Sequence, residues 1–252
     1  MTTTASPPHT PRKSDLARPV AMRLAADEYQ RFIDVLVSLS PADWSKPTEC
    51  AGWDVRAMAA HTLGMAEMAA SIREQMRQVK TATKRGGVFI DALTSLQVEE
   101  RRDMTPAQIL ERFHRVAPKA SRGRRLTPGL IRHRTMPQLQ VVGDHEEPWT
   151  IGYLIDVILT RDPWMHRIDI SRAIAAIPVL TPEHDGVLVA DVVREWAQRH
   201  GQPYVLNLAG PAGGSWTAGA GAECIDLDAV QFCRTVSGRA AGEGLLTTQV
   251  PF

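Results

Sequence analysis

The chain has 252 residues, 44% hydrophobic and 23% charged, and its 29 basic and 28 acidic side chains leave a net charge of +1. That composition excludes a disordered or fibrous protein, and the charge balance excludes a global field that would attract nucleic acid or an anionic membrane. The length suits two modest domains, and the three cysteines, Cys50, Cys224 and Cys233, form no CxxC pair, so neither a zinc ribbon nor a disulfide framework is expected.

Residues 1–19, MTTTASPPHTPRKSDLARP, are rich in Thr, Ser and Pro and too poor in apolar side chains to offset the entropy of ordering; a disordered tail is expected. They contain no apolar core of a secretion signal, and the chain carries no uncharged apolar run of bilayer length. With its unpaired thiols, the protein is expected in the cytoplasm. From Val20 onward, Tyr29, Phe32, Ile33, Leu36 and Leu39 recur at helical spacing, and SPADW ends that helix. Asp54 then caps a long helix whose stripe runs through Val55, Met58, Thr62, Met65, Ala69, Ile72 and Met76. VFIDALTSLQ is a weaker helical stretch, and TPAQ opens another, with Thr105, Pro106 and Gln108 in a capping-box pattern and Leu110, Phe113 and Ala117 as its buried face.

The stretch SRGRRLTPGLIRHRTMPQLQVVGDHEEPW has no sustained period and reads as a long connection with a short strand at QLQVV. Its arginines have no interleaved aromatics and read as a solvated loop. A further helix starts at Thr150, with Ile151, Leu154, Ile155, Ile158 and Met165 on one face. Four long helices with a long crossover predict a mainly α protein whose residues 20–176 form a four-helix bundle. In residues 177–252 a helix over 182–200, three glycine-separated strands (YVLNLAG, GGSWTAG, ECIDLD) and a helix capped by Asp228 predict a small α+β C-terminal domain.

The chemistry sits where polar residues fall on faces that should be apolar. At 100° per residue, His61 lies within the stripe of Met58, Met65, Met68 and Ile72. On the helix after Thr150, the same arithmetic puts Asp162, His166 and Asp169 on the face of Ile151, Ile155 and Ile158, provided the helix continues through Pro163. Burying such groups unpaired is costly, and a divalent metal held by three of them would remove that cost while leaving a coordination position open. Two plainer readings stand beside this one. His61 can be a hydrogen-bonded core residue, and Asp162 can be an N-cap for a helix that Pro163 begins.

Three runs carry a family resemblance. PADWSKPTECAGWDVRAMAAHTLG resembles the N-terminal signature of the mycothiol-dependent maleylpyruvate isomerase family, part of the DinB-like metal-binding bundle group. TRDPWMHRIDISRA is similar to its fourth-helix signature, and DAVQFCRTVSGRAAGEGLLTTQVPF resembles the close of its small C-terminal domain. The resemblance implies a metal, with Zn2+ the expected ion, on His61, Asp162 and His166; the isomerase has Glu where this chain has Asp162. It also implies mycothiol as the low-molecular-weight thiol and an electrophilic small molecule as its acceptor, with isomerisation or S-transfer as the outcome. Arg234 and Arg239 are then the candidate guanidinium partners of a substrate carboxylate, with a solvated surface charge as the plainer reading of each, and Trp53 and Trp164, which border the metal motifs, are the candidate cofactor-binding residues, read most simply as packing near the pocket wall. Asp169 is either an acceptor that orients an imidazole or the partner of an arginine, and Cys50 either a ligand, a nucleophile or a structural thiol. The rival functions are a metal- or ligand-binding bundle without catalysis and a metal-dependent hydrolase. No nucleic-acid or membrane partner is expected, and the chain is expected to be a monomer or homodimer.

Overall fold

The structure, a computed structural model, describes residues 10–221 and 224–252. Four long helices form the bundle: α1 (Arg18–Ser38), α2 (Val55–Ala70), α5 (Pro106–Leu126) and α8 (Leu159–Ala173). Each presents an apolar stripe to a shared core of Phe32, Ile33, Val55, Met58, Phe113 and Ile170, in which Phe32 and Phe113 pack with ring centroids 5.5 Å apart. Each such side chain contributes about 2 kcal/mol by leaving water. Asp54 accepts a hydrogen bond from the Ala57 N–H, and Thr105 and Gln108 form the reciprocal capping box, as the spacing predicts. Gly123 lets α5 close on the end of α2, because a Cβ there would lie 2.1 Å from the Ala69 carbonyl oxygen.

The single long second helix expected through Met76 is two helices. Ser71 leaves the α region (φ −149°, ψ 117°) and caps α3 (Ile72–Arg85) through the Glu74 N–H, after which α4 (Phe89–Glu99) returns along α2. Ile72 and Met76 therefore point into solvent, 77% and 67% exposed. The expected long connection is also shorter than its composition implies. Helix α5 continues to Leu126, a short helix α6 (Gly129–Arg132) follows, and β1 (Gln140–Val142) pairs with β2 (His145–Glu147) in an antiparallel ribbon.

Residues 1–9 of the expected tail lie outside the described residues, but the tail reading does not hold for its second half. The Arg12 N–H donates to Pro148 O, Thr150 N–H donates to Arg12 O, and α1 has begun by Arg18. Backbone pairing supplies the order that the apolar content does not. Beneath this contact Arg199 donates to Glu147 at 2.6 Å and the Trp149 indole N–H donates to it at 2.8 Å. Burial pushes the Glu147 carboxyl up, and Arg199 and Trp149 outweigh it, so the group sits below its ordinary value of 4.5. A carboxyl lowered on folding contributes stability that is present above its unfolded value and lost as pH falls through its folded one. Unfolding free energy, followed by denaturant titration, will decline below about pH 4.5 in the wild type and more gently in Glu147→Gln.

In the C-terminal part, α9 (Val187–His200) and α10 (Ala229–Val236) cover a three-stranded sheet ordered β4 (Gly214–Ala218), β3 (Tyr204–Ala209), β5 (Cys224–Asp228). Strand β3 runs antiparallel to β4 and parallel to β5, and Asp228 caps α10 by accepting from the Val230 and Gln231 N–H groups. Trp164, Met165 and Ile168 of α8 share one apolar cluster with Val192, Trp196 and Phe232, so α8 is buried on two sides. Among the described residues, no helix is long and apolar enough to cross a membrane.

Candidate metal centre

The path to the centre is a helix with two irregularities. It starts at Thr150, whose hydroxyl accepts from the Tyr153 N–H, forms one α turn, α7 (Ile151–Tyr153), widens into a π-helical turn over Leu154–Ile158 and continues as α8. Pro163, inside α8, has no N–H for the Leu159 carbonyl four residues back. Arg124 of α5 supplies the missing donor at 2.9 Å, and it also donates to the Ile155 carbonyl at 3.0 and 2.6 Å and to the Thr160 hydroxyl at 2.5 Å. The reading of SRGRR and IRHR as solvated holds for the exposed Arg122, Arg125 and Arg134 and is corrected for the other two arginines: Arg124 is 2% exposed, and Arg132 pairs with the buried Asp156. Because these carbonyls are answered, the helix does not restart at Pro163. Ile158, before α8, has α-helical angles (φ −62°, ψ −48°), and Asp162 lies in the helix interior rather than at a cap.

Helical spacing then turns Asp162 and His166 toward His61 of α2. Asp162 Oδ1 lies 3.5 Å from His61 Nε2 and 3.4 Å from His166 Nε2, and the imidazoles stand nearly perpendicular at 87°. Two donors on one tetrahedral zinc at 2.0–2.1 Å are separated by about 3.3 Å. Both spacings fit a shared ion better than direct hydrogen bonds. His61 and His166 are 3% and 6% exposed, and among the described residues no donor reaches the buried Asp162 Oδ2. Burial would raise the Asp162 carboxyl, yet His166 and His61 hold it well below the usual carboxylate range. Burial would lower His166, yet Asp162 holds it well above the ordinary imidazole value. Divalent charge in place of imidazole protons would complete this buried cluster.

The far edge of each imidazole is also engaged. His166 Nδ1–H donates to Asp169 Oδ2 at 3.2 Å, and Asp169, fully buried, accepts from Arg239 Nε and Nη2 at 3.0 Å each. This fixes the His166 tautomer with Nε2 toward Asp162. Cys50 Sγ sits 3.8 Å from Asp169, forming a second group of metal-type side chains with His166 and Asp169. The Arg239 guanidinium already neutralises that carboxylate, so a cation fits the His61, Asp162, His166 side.

The other expected site residues divide. Trp53 stands against both imidazoles, with centroids 5.1 Å from His61 and 6.0 Å from His166. It also lines a groove of about 400 Å3 with Thr48, Asp54, Arg56, Ala60 and Arg102. Trp164 does not join them. Two positions from Asp162 on a helix is 200° of rotation, so its indole enters the core on the opposite side, 1% exposed, donating to Asp185 at 2.9 Å and stacking on Phe252. Arg234 is also occupied, donating to Glu49 at 2.7 Å and to Gln231 at 2.9 Å. Arg239 keeps Nη1 without a hydrogen-bond partner among the described residues, since Asp169 takes only Nε and Nη2. Sequence reasoning did not find Gln97, fully buried with its Oε1 2.8 Å from His61 Nδ1, although a polar residue four after Leu93 on an apolar face was the available signal.

Comparison with known proteins agrees with this architecture. Two solved structures, the mycothiol-dependent maleylpyruvate isomerase and a histidine-to-alanine mutant of it, share the fold with TM-scores of 0.57 and 0.56. Each is 15% identical, over 90% of this chain and 91% of the other. No curated protein matches by sequence. The profile of the mycothiol maleylpyruvate isomerase N-terminal domain matches residues 25–171, more than half of the chain and most of the bundle that carries His61, Asp162 and His166. The chain is a member of the mycothiol maleylpyruvate isomerase N-terminal domain family.

Proposed function

We propose that His61, Asp162 and His166 hold one divalent metal, zinc being the expected ion, and that the protein is an enzyme acting with mycothiol on an electrophilic small molecule. The carrying observation is the convergence of two buried imidazoles on a carboxylate whose second oxygen no donor reaches among the described residues, in a chain of this family. When bound, such an ion supplies Lewis acidity that keeps a thiol ionised near neutral pH. Addition of the thiol sulfur across an activated double bond, rotation about the resulting single bond and elimination isomerise the acceptor and return the thiol; retention of the adduct is S-transfer.

The chain's own residues orient and shield. Asp169 holds the His166 ring through Nδ1–H, and Arg239 holds Asp169. Arg239 Nη1 is the guanidinium edge offered to a substrate carboxylate, while Arg234 braces the same region through Glu49. The Trp53 indole walls the imidazoles, and the groove it lines has room and polar partners for the body of a small hydrophilic thiol. The test is turnover of an electrophilic substrate by the metal-loaded protein with mycothiol present and omitted. Turnover that requires both thiol and metal, and that His61→Ala abolishes, is expected. Turnover without thiol would make the protein a hydrolase, and bound metal without any turnover would make it a binding module.

A further inference from the structure

His61 lies at the end of a buried chain of side-chain amides whose direction is set from the surface. At the outer end the Glu74 carboxylate accepts from Arg77 Nε at 2.9 Å and Nη2 at 2.6 Å. A carboxylate so paired can only accept, so the amide nitrogen of Gln78 must face it; that nitrogen lies 2.9 Å from Glu74 Oε1 and 3.3 Å from the Gly64 carbonyl oxygen. The oxygen of Gln78 is then directed at Gln97, whose nitrogen donates to it at 2.9 Å. The same nitrogen faces the sulfurs of Met65 and Met68 at 3.2 and 3.3 Å, both weak acceptors. The remaining oxygen of Gln97 meets His61 Nδ1 at 2.8 Å, and an acceptor at that distance requires a proton on the ring nitrogen. Reversing either amide would set the Gln78 oxygen against the Glu74 carboxylate or the Gln97 oxygen. Gln78 and Gln97 are both 0% exposed, so no solvent screens such a mismatch.

The backbone is shaped for this contact. Gly64 lies three residues after His61 on α2, and a Cβ there would be 2.6 Å from Gln97 Cγ. Glycine at 64 is what lets the Gln97 stem lie against α2.

We propose that Gln97 is a positioning residue that fixes the His61 proton on Nδ1, leaving Nε2 bare toward Asp162 and His166. It does for His61 what Asp169 does for His166, with a neutral amide in place of a carboxylate. The consequence for metal affinity rests on the ligand assignment above; the proton position does not.

The test is imidazole-nitrogen NMR of the metal-free full-length protein at a pH where His61 is neutral, together with chelator-competition titration with zinc. The wild type should show His61 protonated on Nδ1. Gln97→Met, which keeps the volume and removes the acceptor, should lose that preference and bind zinc about 10–100-fold more weakly. Gln97→Glu, which keeps an acceptor at the same reach, should restore Nδ1 protonation. If Gln97→Met does not fold, Gln78→Met carries the test, since it frees the Gln97 amide to turn and should shift the His61 proton toward Nε2. A wild-type His61 protonated on Nε2, or an unchanged proton position in the variant tested, would overturn the proposal. Correct proton positions with no zinc bound would instead count against the ligand assignment alone.

Discussion

Replacing His166 with alanine will strip the protein of divalent metal. The wild type, dialysed and analysed for elements, should carry about one ion per chain, and His61→Ala and His166→Ala should carry none. Loss of an outer acceptor behind a ligand costs about 10–100-fold in affinity, so loss of one of three ligands should exceed about 100-fold. Asp162→Ala should fall with the two histidine variants, because its carboxylate lies within 3.5 Å of both Nε2 atoms. Asp162→Glu is the informative contrast: a longer carboxylate at the same position should retain the ion. The binding reaction also has a proton signature. With Asp162 beside it, His166 in the metal-free protein is held well above the ordinary imidazole value. Metal binding should therefore release a proton, and calorimetric enthalpies should scale with the ionisation enthalpy of the buffer. Full occupancy in His166→Ala would end the ligand assignment.

The parts of this centre legible in the sequence were those whose signal is local. His61 stood out as a polar residue in a methionine-rich stripe, and Asp162 with His166 as an i, i+4 pair. The caps at Asp54, Thr105 and Asp228 were equally local, and all three form the expected hydrogen bonds. The misplaced pieces fail for identifiable reasons. Ser71 followed by Glu74 was a helix-start signal overridden by a stripe that continued through Ile72 and Met76, and the stripe was the weaker guide. Trp164 was placed by its nearness in sequence to Asp162, whereas the helix turns it to the other side. Gln97 and Arg124 act over separations of 36 and 35 residues, on an imidazole edge and a backbone carbonyl, and nothing local marks a carbonyl as needing a donor. Pro163 was the nearest thing to such a mark, since its missing N–H leaves the Leu159 carbonyl unanswered within its own helix.

Arg124 is where that debt is settled, and its removal should be the most damaging substitution to the bundle outside the apolar core. Arg124→Met retains a buried stem and removes the guanidinium, which stands over the Tyr29 ring at 5.8 Å from its centroid and donates to the Ile155 and Leu159 carbonyls and the Thr160 hydroxyl. Each orphaned buried acceptor costs about 1–3 kcal/mol, partly offset because a buried charge is also removed and the Thr160 hydroxyl can rotate. A net loss of about 2–4 kcal/mol is expected in urea unfolding, with weaker zinc binding because the same turn aims Asp162. Pro163→Ala separates this explanation from general damage. An alanine N–H at 163 can reach the Leu159 carbonyl, so in the Arg124→Met background it should recover about 1 kcal/mol. In the wild type, where Arg124 already donates to that oxygen at 2.9 Å, the gain from satisfying this acceptor should be absent. The double-mutant cycle should thus show a coupling of about 1 kcal/mol between two residues joined through one carbonyl. Strictly additive effects, or an Arg124→Met stability within about 0.5 kcal/mol of wild type, would mean that water can answer these carbonyls and that α8 holds Asp162 in place without help from α5.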